Sequence, residues 1–157
     1  MPNRYYCRIA IGIIFVIAGI LAVSAKELDE KTKKFLQKNG PNILRILDEA
    51  KEKDYPEIIE EAESRITELR EEFLEEEKDG GKDFANKIAL LEDNFIALEF
   101  ELWKIEEGRS SELRGEQKIE RLLVQRVKLQ NALDEEVIKQ LKKEGEDSIE
   151  EAEEIRE

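Results

Sequence analysis

Residues 84–105 read FANKIALLEDNFIALEFELWKI, and their spacing decides the fold. Phe84, Ile88, Leu91, Phe95, Leu98, Leu102 and Ile105 recur at intervals of four, three, four, three, four and three. That alternation sets seven apolar side chains on one stripe of an α-helix, the pattern of a coiled-coil seam. A second stripe, Ile96, Phe100 and Trp103, adjoins the first. A helix that is apolar on two adjoining faces needs more than one neighbour, so this one belongs at the centre of the body. Its candidate core or interface residues are Phe84, Ile88, Leu91, Phe95, Leu98, Phe100, Leu102 and Trp103. Full burial of the seven seam residues would contribute roughly 10–20 kcal/mol before conformational entropy is subtracted.

On the N-terminal side, Lys78-Asp79-Gly80-Gly81-Lys82 reads as a turn. Before it, Ile59, Ala62, Ile66, Leu69 and Phe73 form a second seam over residues 57–77, with the other faces almost wholly charged. Asp54-Tyr55-Pro56-Glu57 reads as that helix's start, with an Asp cap and Pro in the first turn. Two short helices precede it over residues 26–53, separated by Asn39-Gly40-Pro41. On the C-terminal side the seam fails after Ile105. Apolar periodicity resumes at Ile119, Leu122, Leu123, Val127, Leu129, Leu133, Val137 and Leu141. The gap holds Gly108, Ser110, Ser111 and Gly115, and either a turn there or one long helix over 83–143 fits. Gly145 is expected to end the last helix, and residues 144–157 read as an acidic tail or as a marginal terminal helix opened by the capping box Ser148-Ile149-Glu150-Glu151. Strand signals are absent. The expected fold is all-α: short helices at 26–53 and an antiparallel, coiled-coil-like bundle of two or three long helices at 54–143.

Charge is placed unevenly along the 157 residues. There are 26 bases, 39 acids and a net charge of −13, yet residues 1–25 hold Arg4 and Arg8 and no acid. Residues 9–23 read IAIGIIFVIAGILAV, and Ser24 and Ala25 extend the uncharged run. Two readings fit. One is a secretory signal peptide, with Val23 and Ala25 at the positions a signal peptidase reads and cleavage before Lys26. The other is an uncleaved anchor, whose residues 9–25 span about 26 Å against a hydrocarbon core of about 30 Å. Both put Arg4, Cys7 and Arg8 on the cytoplasmic side and the acidic body outside the cytoplasm, whether periplasmic, lumenal or secreted. The single cysteine is Cys7, so no disulfide can form within the exported body.

Much chemistry is excluded by composition. The chain has no His and one Cys, so it can build no Ser-His-Asp or Cys-His nucleophile system, zinc finger or haem-histidine site. Gly80-Gly81 lacks the rest of either phosphate-loop pattern. Acidic clusters such as Glu60, Glu61 and Glu63, or Glu71, Glu72 and Glu75–Glu77, read as solvated helix faces. Asp79–Asp83 lacks the alternating ligands of an EF-hand. No catalytic residue, metal ligand or cofactor is expected. Arg114, Lys118, Arg121, Arg126 and Lys128 make a local basic face, read as pairing with the Glu-rich helix at 57–77. Net charge and the export signal both disfavour nucleic acid.

The size and hairpin build are similar to those of small exported all-helical chaperones and stress sensors of the bacterial envelope. The nearest string to their Leu-Thr-x-x-Gln pattern is Ile66-Thr67-Glu68-Leu69-Arg70, which departs from it at both ends, so the likeness is one of architecture. The leading expectation is a non-enzymatic exported or membrane-anchored interaction or scaffold protein. It would pair with a protein partner or with itself through helical seams, and with the membrane through residues 9–25 if uncleaved. A holdase-like envelope chaperone and a low-affinity divalent-cation buffer are the alternatives.

Overall fold

The computed structural model of the protein describes residues 27–154. Four helices fill them: α1 (Glu30–Asn39), α2 (Pro41–Lys53), α3 (Pro56–Glu106) and α4 (Glu112–Glu154), with no strand among the described residues. The fold is all-α. Arg4, Cys7, Arg8, the apolar run at 9–25, and Val23 and Ala25 at the expected cleavage site lie outside the described residues, as does Ile155 in the C-terminal tail. Among the described residues no helix is long and apolar enough to cross a membrane.

Local chemistry sets the boundaries. Asp29 caps α1, its carboxylate accepting the Thr32 N–H at 2.7 Å, and that bond holds its carboxyl below the ordinary value. Gly40 then turns the chain, donating its N–H to the Leu36 carbonyl at 2.8 Å, and Pro41 opens α2. The elbow sits hard against the third helix: a Cβ on Gly40 would lie 2.9 Å from Leu69 Cδ2. Asp54 does not cap α3 as the sequence suggests. It takes a left-handed conformation (φ 55°, ψ 63°) that closes α2, and α3 starts at Pro56 without a side-chain cap. Asp tolerates that region better than most residues, and Pro supplies the φ that a first turn needs.

Helix α3 is two arms, 56–80 and 82–106, hinged at Gly81 (φ 83°, ψ 174°). That backbone is almost exclusive to glycine, and another residue would be strained by roughly 1–3 kcal/mol. The arms fold back on each other. Leu69 and Phe73 of the first line a cleft with Ala85, Ile88 and Ala89 of the second, and Arg65 reaches Glu92 (3.8 Å) and Glu99 (3.5 Å). Residues 83–143 are likewise two helices, separated by a turn in which Gly108 has φ 65°. Helix α4 then runs back along the second arm. Lys118 lies 3.7 Å from Glu101, Asn94 donates to the Leu122 carbonyl at 3.0 Å, Lys87 pairs with Glu136 at 3.7 Å, and Gln140 donates to the Gly80 carbonyl at 2.7 Å.

Gly145 does not end the last helix. It continues through the expected tail to Glu154. One glycine costs only about 1 kcal/mol in a helix interior, too little to stop it alone.

The core joins Leu36 of α1 and Ile43, Ile46, Leu47 and Ala50 of α2 to both arms: Ile58, Ala62, Ile66 and Leu69 of the first, Ala89, Ile96, Ala97 and Phe100 of the second. The seam expected at 57–77 is part of it, with Ala62, Ile66 and Leu69 buried and Ile59 and Phe73 packed against them.

Candidate interaction face

The second arm, 82–106, has the first arm, α2 and α4 around it, and one side is left open. Its buried face carries Ala85, Ala89, Asp93, Ile96, Ala97, Phe100 and Lys104. At about 100° per residue, that face points roughly opposite to the seam Phe84-Ile88-Leu91-Phe95-Leu98-Leu102. The strongest apolar repeat in the chain therefore turns away from the core. Phe84, Ile88, Leu91 and Leu98 are half-buried, Phe95 is 38% exposed and Leu102 49%. Ile105 alone is tucked under α4, against Gly115, whose missing Cβ makes the room. The second stripe goes inward. Phe100 is buried, stacked on Trp103 at 5.8 Å, and Trp103 meets Tyr55 edge-on at 5.2 Å.

Small residues explain the choice. Ala85, Ala89 and Ala97 let neighbouring backbones approach, which a Phe or Leu stripe would prevent. Polar side chains then lock the inward face. Asp93 accepts from the Asn42 N–H (3.1 Å), the Ile43 N–H (2.8 Å) and Asn42 Nδ2 (2.9 Å). It thus caps the N-terminus of α2 from another helix, where α2 has no side-chain cap of its own. Burial pushes the Asp93 carboxyl up, against the pull of those three bonds. Nearby, Lys104 pairs with Glu101 at 2.9 Å and with Glu49 at 3.4 Å, and lies 4.6 Å above the Phe100 ring. Glu101 Oε2 has no hydrogen-bond partner, with Lys118 Nζ 3.7 Å from the carboxylate. Burial acts to raise Glu49, but Lys104 and Lys53 outweigh it and hold its carboxyl low. Burial lowers Lys118. None of these inward polar residues stood out in the sequence. Their only signal was the alanine spacing beside them.

Helix α4 divides its apolar residues in the same way. Among the residues whose burial is described, Gly115, Ile119, Leu122, Arg126, Leu129, Leu133, Glu136 and Gln140, alternating four and three, are buried or half-buried, with Ala132 beside them. Leu123 (49%), Val127 (61%), Val137 and Leu141 are exposed beside them. The guanidinium of Arg126 lies 5.9 Å over the Phe95 ring and joins the outward faces of the two helices.

The rim of this face is acidic. Arg65 is shared among Glu61 (2.8 Å), Glu68 (3.9 Å), Glu92 and Glu99. Glu72 adds to the field at Glu92. Burial raises the carboxyls of Glu92 and Glu99, each partly opposed by Arg65. Of the basic face of α4, Lys118 pairs with Glu101 of the second arm, and Arg126 lies over the Phe95 ring and acts on Glu92. Among the described residues no three potential metal ligands come together.

Compared with protein-family models, curated proteins and solved structures, the chain finds no match, and the meaning of this face rests on its own residues.

Proposed function

We propose that this chain is a non-enzymatic, exported or membrane-anchored helical interaction protein that receives a partner helix along its outward seam, in coiled-coil fashion. One observation carries the reading: a heptad stripe turned away from the core, half-buried at four positions and exposed at Phe95 and Leu102. An apolar repeat held to coiled-coil spacing over six positions, yet left open with Phe95 and Leu102 exposed, fits a surface completed by another helix. The basic, then apolar, residues 1–25 support placement at or beyond a membrane. The test is a photocrosslinking side chain at Leu102, with Asp48 on α2 as the control position, followed by intact mass of the membrane and soluble species. A defined adduct from position 102 and none from 48 is expected, and equal labelling from both positions would refute the reading. A species beginning at Lys26 marks cleavage, and one retaining Cys7 marks an anchor.

A holdase-like chaperone is the second reading, supported by the further exposed residues Leu123, Val127 and Leu141 on α4. It requires suppression of client aggregation without a defined adduct.

A further inference from the structure

We propose that the partner seated on this face is a cationic amphipathic helix, its apolar stripe laid along Phe84–Leu102 and its Lys and Arg flanks set against the carboxylates gathered around Arg65. The inference rests on the reading above and names the partner's chemistry.

Length comes first. The seam from Phe84 to Leu102 runs about 27 Å at 1.5 Å per residue, which matches a partner helix of about 18 residues. Such a helix would lay its apolar positions between the arm 56–80 and α4, as amphipathic helices do in other grooves. Charge then selects among such helices. On the first-arm side the single Arg65 faces Glu61, Glu68, Glu92 and Glu99. Arg126, over the Phe95 ring, also draws on Glu92, so two cations stand among these four carboxylates. Carboxylates therefore outnumber cations along the open edge, and cations on an incoming helix would complete the pairing. Burial of Glu92 and Glu99 disfavours their charged form, so a nearby cation gains more there than on a fully solvated face. A second copy joined antiparallel through this same face brings one acidic edge against another, which opposes that arrangement. An anionic lipid surface is repelled for the same reason.

The test is a fluorescence-anisotropy titration of the full chain with labelled peptides of about 18 residues. One peptide has Leu at heptad spacing and Lys elsewhere. A second has Glu in place of Lys. A third has the Leu/Lys composition in scrambled order. The heptad Leu/Lys peptide is expected to saturate at one per chain, at least about tenfold tighter than the other two. Phe95→Asn and Leu102→Asn should each weaken it about tenfold or more, as removal of a central apolar anchor does. Glu99→Gln should weaken it about two- to fivefold, the scale of one partly exposed ion pair. Both seam side chains are exposed, so their replacement leaves the core intact, and far-UV circular dichroism checks that it does.

Equal binding of the Leu/Glu peptide, lost in the seam variants, overturns the cationic partner while leaving the docking face standing. Leu/Lys binding that ignores Phe95→Asn and Leu102→Asn overturns the proposal, because the peptide is then held by acids elsewhere. Absence of binding by every peptide overturns it as well, and the Leu102 crosslink then decides the broader reading separately.

Discussion

Replacement of Asp93 by Ala should loosen the α1–α2 elbow from the bundle. The carboxylate takes two backbone N–H groups of α2 and the Asn42 amide, at 2.8–3.1 Å, and Asp93 is 1% exposed. Loss of a helix cap costs about 1 kcal/mol, up to about 2. A buried donor left without an acceptor adds roughly 1–3 kcal/mol, and the Ile43 N–H becomes one. Relief of the desolvated carboxylate offsets part of this, so the net loss should be about 3 kcal/mol. For a chain of this size that lowers the melting temperature by about 10 °C. Urea titration followed by far-UV circular dichroism measures it. Asn42→Ala is the calibrating variant, since it removes the amide bond and keeps both backbone bonds, and it should cost about 1 kcal/mol. A loss below about 1 kcal/mol for Asp93→Ala, or one equal to that of Asn42→Ala, refutes the cross-helix cap.

Three further outcomes follow from the same geometry. Phe100→Ala should cost about 3–5 kcal/mol and Leu102→Ala within about 0.5 kcal/mol, because only the first side chain is in the core; equilibrium unfolding of the pair reads the direction of the arm. Lys104→Ala, which takes from the buried Glu101 its shortest ion pair and leaves Lys118 at 3.7 Å and Arg45 at 4.0 Å, should cost about 3 kcal/mol, whereas Glu101→Leu combined with Lys104→Leu should cost less than either single change, a cycle measurable by thermal melts. Glu92 has a folded-state value raised above its ordinary 4.5, so the native state binds the extra proton between the two values. Its contribution is therefore full below pH 4.5 and is lost as pH rises through the raised value; Glu92→Gln should flatten that decline in a pH series of urea midpoints.

Breaks in the chain were legible because each is a local backbone event. Asn39-Gly40-Pro41 combines a residue free of Cβ sterics with one that cannot continue a hydrogen-bond ladder, and the elbow forms there. Gly80-Gly81 gives the hairpin, whereas the break around Gly108 was open between a turn and one long helix, and Gly145, expected to end a helix, lies inside one. The seam at 57–77 was also legible, since that helix has one apolar stripe and buries it. Where a helix offered two apolar stripes, the pattern did not say which was inside. In α4 the stripe of Ile119, Leu122, Leu129 and Leu133 packs, while Leu123, Val127, Val137 and Leu141 stay in solvent.

The sequence by itself determined that the described chain is helical, that it bends at Asn39-Gly40-Pro41 and Gly80-Gly81, and that one arm carries an unbroken heptad. Tertiary structure alone decided that this heptad faces outward. Periodicity records how apolar a stripe is, whereas burial depends on how closely backbones can approach. Ala85, Ala89 and Ala97 admit a neighbour that Phe84, Phe95 and Leu102 would hold off, and Asp93 and Lys104 find their partners only once α2 is in place beside them.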